Sequence, residues 1–234
     1  MGFDGEYGPL VIRWLCLAGA VLAPAPALAC RLALLLALDV SSSVDAREYE
    51  LQRNGLAAAL IAPEVQRAFL DNPVPVALAA YEWSGRFNQE IILHWTMIRT
   101  SEDLARAADR IVTAPRSSTG FQTALGHALG YAARYFPEGP ACASRTIDVS
   151  GDGESNHGFS PRVAYQRFPL AGVTVNALAI GASVGLDNLE VYYRTELIKG
   201  PGAFVELAAD YEDFQRAMAR KLEREVTSLA IGAR

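Results

Sequence analysis

Five oxygen-bearing side chains have the types and spacing of a site for a hard divalent cation. Asp39, Ser41 and Ser43 alternate directly after an apolar run, Thr123 stands at the start of a helical segment, and Asp152 follows a later strand-like run. Carboxylate and hydroxyl oxygens, without a thiolate or an imidazole, suit Mg²⁺ or Mn²⁺ and do not suit zinc. Together the five residues predict a magnesium or manganese site.

Each of these residues also has a simpler structural interpretation. Asp39-x-Ser41-x-Ser43 alone is more typical of a turn that caps the following helix. Thr123 can be only an N-cap, and Asp152-Gly153 can be only a turn. Their joint placement at one edge of a sheet is what favours the metal site.

Short apolar and β-branched runs alternate with helix-forming segments along the chain. The predicted strands are residues 32–38, 74–83, 90–96, 145–149, 173–180 and 203–207, and the predicted helices are 46–61, 63–70, 100–112, 123–135, 161–170, 187–198 and a last one from near residue 211. The short link between the second and third strands indicates an antiparallel pair. This order predicts an α/β fold with a doubly wound, mostly parallel central sheet flanked by helices and one antiparallel edge strand.

The polar residues that follow the strands are placed to meet at one edge. In an open doubly wound sheet, ligands bind beyond the carboxyl ends of the strands. Glu82 and Trp83 end another strand near this edge, and His157 lies in the loop after Asp152. All three are candidates for the rim of the site, although core packing is the simpler interpretation for Trp83 and a solvated loop position for His157.

The pattern resembles the metal-ion-dependent adhesion site of von Willebrand factor A domains. The match rests on Asp39-x-Ser41-x-Ser43, on Thr123 within Thr-Ala-Leu-Gly-His-Ala-Leu, and on Asp152 after a strand, and it spans about residues 31–228. Leu38-Asp39-Val40-Ser41, Glu82-Trp83-Ser84-Gly85 and Asp148-Val149-Ser150-Gly151-Asp152-Gly153 are similar to a bacterial group of exported domains of this type whose function is not established.

The resemblance implies a division of roles among the five residues. The two serines and the threonine would contact the metal, the aspartates would act largely through water, and a carboxylate from a protein partner would complete the octahedron. Two departures from the family pattern could shift the loop and weaken metal binding. Ser42 stands where the family usually has glycine, and Phe121-Gln122 replaces small residues before the threonine.

The function predicted from this pattern is metal-dependent binding of a protein partner, without enzymatic activity. The alternatives are a metal-dependent hydrolase or phosphotransfer enzyme and a structural domain with a degenerate site. Gly-x-x-x-x-Gly-Lys is absent from the sequence, which argues against a P-loop enzyme. A formal net charge of −5 argues against a nucleic-acid partner. Only Lys199 and Lys221 among the 21 basic residues are lysines, which is interpreted as compositional bias.

Residues 1–29 have the features of a secretory signal peptide. Arg13 precedes an apolar run over residues 15–28, which ends in Ala27-Leu28-Ala29. The run is shorter than the roughly 20 residues of a membrane span and contains two prolines. We therefore expect export to the periplasm or the extracellular space, with a domain over residues 30–234 and membrane contact only through the signal peptide or a lipid on Cys30.

Two cysteines, Cys30 and Cys142, would remain after signal cleavage. Cys30 precedes Asp39 by nine residues, and Cys142 precedes Asp152 by ten. If both aspartates end neighbouring strands, both cysteines lie at the opposite end of the sheet, within the distance that a disulfide spans. The spacing predicts a Cys30–Cys142 disulfide, which competes with lipidation of Cys30 for the same sulfur.

Overall fold

The structure is a computed structural model that describes residues 1–2, 28–181 and 185–228. Most of the predicted signal peptide (3–27) and the last residues of the predicted domain (229–234) lie outside the described residues. The strands are β1 (Cys30–Asp39), β2 (Val76–Ser84), β3 (Asn88–Ile98), β4 (Cys142–Gly151), β5 (Val173–Ile180) and β6 (Val205–Ala208). The helices are α1 (Ala46–Leu60), α2 (Pro63–Leu70), α3 (Ser101–Thr113), α4 (Leu125–Tyr135), α5 (Pro161–Arg167), α6 (Leu186–Tyr192) and α7 (Phe214–Ser228).

The six strands form one sheet in the order β3-β2-β1-β4-β5-β6. Every neighbouring pair is parallel except β2 and β3, which form an antiparallel hairpin at one edge. The predicted fold class is therefore confirmed. β1 lies inside the sheet, and its residues from Leu32 to Leu38 are buried, as expected for a parallel strand covered on both faces.

Successive β1 side chains enter two separate apolar layers. Leu34, Leu36 and Leu38 pack with residues of α1, α2, α3 and α7, while Leu35 and Ala37 pack with residues of α4, α5 and α6. This alternation follows from the two-residue repeat of a strand. The last helix carries an apolar residue at every fourth position, Phe214, Met218, Leu222 and Val226, and all four are buried in the first layer. The stripe is core packing.

Some element boundaries differ from the prediction. α4 begins at Leu125 after the N-cap residue Ala124, so Thr123 does not cap this helix. The predicted helix over 187–198 changes after Tyr192 into a π-helical segment, Tyr193–Leu197. β1 and β4 both begin earlier than predicted, each at its cysteine. Within the described part of the chain, no helix combines the length and apolar character needed to cross a membrane.

Cys30 and Cys142 are register partners at the start of β1 and β4. They form a disulfide, with their Cα atoms 4.5 Å apart, as the spacing predicts. Such bonds are typical of proteins in oxidising compartments. The bond uses the sulfur that a lipid on Cys30 would require.

Candidate metal centre

The carboxyl ends of β1 and β4 bring the two predicted aspartates together. The strands are adjacent and parallel, with Leu38 opposite Ser150. β1 ends at Asp39, and Asp152 directly follows the last residue of β4. Because parallel neighbours in register end at the same edge, both carboxyl groups lie at one position on the sheet. Both residues are fully buried.

Hydrogen bonds join four of the five predicted ligands into one chain. The Thr123 hydroxyl donates to Ser41 Oγ at 3.3 Å, and Ser41 Oγ lies 3.1 Å from Ser43 Oγ in a hydrogen bond of either direction. Ser43 Oγ donates to Asp152 Oδ1 at 2.7 Å. The fifth residue, Asp39, accepts the backbone N–H of Ser41 at Oδ1 over 2.8 Å. The structure therefore brings all five residues to one place.

Backbone contacts from neighbouring elements hold the loop after β1. Val40 N–H donates to the carbonyl of Trp83 at 3.0 Å, and Ser42 N–H donates to the carbonyl of Phe121 at 2.7 Å. The Gln52 amide of α1 donates to the carbonyl of Asp39 at 2.9 Å. The Arg116 guanidinium donates to the carbonyl of Val44 at 2.7 Å. The loop that carries Ser41 and Ser43 is thus fixed from several directions.

The two departures from the family pattern, Ser42 and Phe121-Gln122, help to hold the loops of the centre through backbone hydrogen bonds. Ser42 is exposed, while its N–H reaches Phe121 as described. The carbonyl of Gln122 accepts the N–H of Gly85 at 2.6 Å. Gly85 has a φ of +56°, and an added side-chain carbon there would lie 2.9 Å from Phe121 Cβ. The phenylalanine therefore packs against a glycine that both the backbone and the available space require.

Asn156 supports Thr123 and was missed in the sequence. Its side-chain oxygen accepts the N–H of Thr123 at 3.0 Å. The Thr123 carbonyl in turn accepts the N–H groups of Asn156 at 2.9 Å and His157 at 3.0 Å. His157, predicted as a rim residue, therefore meets the centre through its backbone. The sequence signal for Asn156 was limited to its polar type and its place in the loop, four positions after Asp152.

Glu82 and Trp83 lie beneath the loops rather than on an exposed rim. Glu82 is 1% exposed, and its carboxylate accepts the Tyr49 hydroxyl at 2.6 Å and the Ser117 N–H at 2.7 Å. Trp83 is fully buried in the layer that contains α4. The predicted rim role is corrected for Glu82, because its carboxylate is satisfied internally. For Trp83 the simpler interpretation, core packing, is confirmed. Glu82 instead ties α1 to the loop before Thr123.

The electrostatics of the centre favour a cation. Burial, together with the charge of Asp152, raises the pKa of Asp39 to about 8. Asp39 Oδ2 is buried and has no hydrogen-bond partner among the described residues. Gly151 leaves room beside this oxygen, since an added side-chain carbon would lie 2.8 Å from the Tyr193 hydroxyl and 3.0 Å from Asp39 Oδ2. A buried ionised carboxylate without a partner is costly, so the group either takes up a proton or is compensated by a cation.

The donor set fits a divalent cation that accepts hydroxyl oxygens. In the described ranges 28–181 and 185–228, no three His, Cys, Asp or Glu side chains gather as a metal site. The centre has only two carboxylates, so any metal held there depends on Ser41, Ser43 and Thr123. This hard oxygen set is the one predicted from the sequence.

A family model described as Protein of unknown function (DUF1194) matches residues 29–230. The chain belongs to this family. The match includes all five residues of the candidate centre and both bridged cysteines. A comparison with curated proteins finds no significant match.

Solved structures with a similar fold include three of different origin. Proximal thread matrix protein 1 from the mussel byssus, in a form with a zinc-occupied MIDAS motif, has a TM-score of 0.60 and 17% identity over 87% of this chain and 48% of that one. A von Willebrand factor type A protein from Catenulispora acidiphila has a TM-score of 0.55 and 16% identity over 86% and 43%. The conserved hypothetical protein BatB from Bacteroides thetaiotaomicron has a TM-score of 0.57 and 21% identity over 86% and 99%.

These similarities establish a von Willebrand factor A-type fold for this chain. The chain spans about half the length of the mussel protein. At such identities the likeness concerns the fold alone. Function must therefore be argued from the centre itself.

Proposed function

We propose that this protein is an exported binding domain that holds a divalent metal and, through it, a carboxylate of a protein partner. The observation that carries the proposal is the hydrogen-bonded chain from Thr123 through Ser41 and Ser43 to Asp152, with the buried carboxylate of Asp39 beside it. These side chains would hold the metal, which would supply a positive charge for an acidic ligand. The Cys30–Cys142 disulfide supports export.

Mg²⁺ and Mn²⁺ are the proposed metals, and Zn²⁺ must be tested beside them. The hard oxygen donors favour the first two. The mussel protein, however, has a zinc-occupied MIDAS motif, so donor hardness alone does not exclude zinc from a centre of this type. A titration with all three ions decides which of them this centre selects.

The test is capture of an envelope partner by the immobilised protein in Mg²⁺ and again in chelator. We expect a partner that binds in Mg²⁺ and elutes with chelator. Asp152→Ala should fail to capture it, because one of the two carboxylates of the centre is lost. Glu154→Ala, an exposed neighbour in the same loop, is the matched control and should still capture it. A partner held equally well in chelator and by Asp152→Ala contradicts the proposal.

One sequence feature is shared with another class of enzyme, the serine esterases, and a direct assay tests it. Residues 181–185, Gly-Ala-Ser-Val-Gly, have the Gly-x-Ser-x-Gly spacing of an esterase nucleophile and stand between β5 and α6. Ser183 itself lies outside the described residues. We expect no turnover of generic phosphate and ester substrates with Mg²⁺ or Mn²⁺. Turnover that Ser183→Ala or Asp39→Ala abolishes would replace the binding proposal with an enzyme.

A further inference from the structure

A charged cluster lies buried between α7 and the body of the sheet, separate from the candidate metal centre. Lys221 and Glu225 belong to α7, Asp148 to β4 and Asn176 to β5. None of the four is more than 4% exposed. Asp148 and Asn176 are register partners on adjacent strands, and Lys221 and Glu225 are one helical turn apart. The topology therefore places an amine among carboxyl and amide groups away from water.

The amine of Lys221 contacts the two carboxyl groups differently. Nζ lies 2.7 Å from Glu225 Oε1 and donates a hydrogen bond to it. It lies even closer to Asp148 Oδ1, at 2.6 Å, but neither Asp148 side-chain oxygen has a hydrogen-bond partner among the described residues. The amine thus lies against the Asp148 carboxyl group without the alignment of an ordinary hydrogen-bonded ion pair.

Glu225 connects the amine to the neighbouring amide. Its Oε1 also accepts the side-chain N–H of Asn176 at 2.7 Å, and Asn176 Oδ1 accepts the Phe204 N–H at 3.1 Å. The ring of Phe204 lies 5.5 Å from Lys221 Nζ. Glu225 is therefore held next to the amine, in surroundings that are partly aromatic.

The residue type at position 221 is itself informative. Only two of the 21 basic residues are lysines. The other, Lys199, is partly exposed over the Tyr165 ring. Arginine stays charged, whereas a buried lysine can lose its proton and act as a nucleophile. General compositional bias towards arginine does not explain a lysine at this buried position.

We propose that Lys221 and Asp148 condense into an intramolecular isopeptide bond, with Glu225 as the group that transfers the proton. A proton passes from the Lys221 ammonium to the Asp148 carboxylate. The neutral amine then attacks Asp148 Cγ, the N–C bond forms, and the C–O bond to the hydroxyl group breaks. Glu225 donates a proton to the departing hydroxyl and recovers one from the amine nitrogen. One water leaves, and no oxidant or other reactant is needed.

Two physical features of the cluster favour this reaction. Burial, reinforced by the charge of Asp148, raises the pKa of Glu225, which keeps a proton available for the leaving hydroxyl. Condensation also removes one positive and one negative charge from a site where charges are poorly solvated. The product would fasten α7 to β4, the same strand that the disulfide fastens to β1.

Peptide mapping of the full-length, reduced protein tests the proposal. Trypsin cuts after Arg145 and Arg162 and after Arg220 and Arg224, and an acylated lysine resists cleavage. We expect a branched peptide in which residues 146–162 and 221–224 are joined with the loss of one water. A digest that contains only linear 146–162, with cleavage after Lys221, overturns the proposal. A branch that joins residues 168–194, the tryptic peptide that contains Asn176, to 221–224 with the loss of one ammonia assigns the bond to Asn176 and also overturns the Asp148 assignment.

Variants on α7 separate the chemistry from the packing. Lys221→Arg keeps the charge without a competent nucleophile and should give no branch. Glu225→Gln should also give none, whereas Glu223→Gln, an exposed position on the same helix, should give the branch as in the wild type. A branch of wild-type yield in Glu225→Gln would contradict the assigned role of Glu225. The wild-type digest remains decisive even where a variant fails to fold.

Discussion

The carboxyl group of Asp39 is buried beside that of Asp152, and one of its oxygens has no hydrogen-bond partner among the described residues. Burial raises its pKa to about 8, far above the value of about 3.9 for an exposed aspartate. Folding without metal therefore favours the protonated form of this group. A divalent cation would reverse that preference, because it competes with the proton for the same oxygens.

This shift predicts a pH dependence for the metal-free protein. A group whose pKa is raised by folding contributes its full stability below the unfolded pKa and loses it as the pH rises through the folded value. In chelator, the wild type should lose stability from about pH 4, the ordinary pKa of an aspartate, up to about pH 8, the pKa of the folded group. Asp39→Asn, which cannot ionise, should lose less over that range and should not respond to added metal.

Thermal unfolding in chelator, at several pH values, measures this effect. The informative quantity is the difference between the two proteins, since other groups titrate in both. Equal slopes of stability against pH in wild type and Asp39→Asn would show that folding does not raise the pKa of Asp39.

At the scale of elements, the strands were more predictable than the loops. β1 is a continuous apolar run, and the polar residues after it mark where the strand ends at the sheet edge. The sequence therefore predicted both the strand and the position of Asp39. The disulfide followed from the same reasoning, since nearly equal distances from the sheet edge put Cys30 and Cys142 opposite each other, as the register confirms.

The supporting contacts of the centre were not predictable from spacing. Asn156 reaches Thr123, Glu82 reaches Ser117, and Arg116 reaches Val44. Each contact joins a side chain to a backbone group on another loop, and such partners carry no periodic signal. For the same reason Thr123 was a plausible N-cap in the sequence, whereas its hydroxyl reaches Ser41 in the structure.

The disulfide should stabilise the sheet without affecting the centre. It joins residues 112 positions apart, and a loop of this size is worth about 4–5 kcal/mol in the chain-entropy model. Cys142→Ala should therefore lower the free energy of unfolding by up to about this amount, while metal affinity is unchanged because the pair lies at the opposite end of β1 and β4.

Denaturant unfolding of wild type and Cys142→Ala, each with and without reductant, checks this prediction. Reductant should destabilise the wild type to about the level of the variant and leave the variant unaltered. Equal stability of the oxidised wild type and the variant would contradict a stabilising role for the bond.

For the whole molecule, the strands of the described residues form one sheet, and its two ends carry different groups. Cys30 and Cys142 join one end, and the five candidate ligands gather at the other. On the proposed function, the covalently joined end would keep β1 and β4 in register, and the opposite edge would present the metal to an acidic partner. Rigid strands beneath a small set of loops are well suited to hold such a centre.

Calorimetric titration of the metal-free wild type with Mg²⁺, Mn²⁺ and Zn²⁺ tests this account most directly. We expect saturable binding at a single site for at least Mg²⁺ or Mn²⁺. Ser41→Ala should weaken it, since a hydroxyl of the chain is lost, and Ser42→Ala, the exposed neighbour, should not. No heat and no thermal shift of the wild type with any of these ions at millimolar concentration would contradict the assignment of Asp39, Ser41, Ser43, Thr123 and Asp152 as a metal centre.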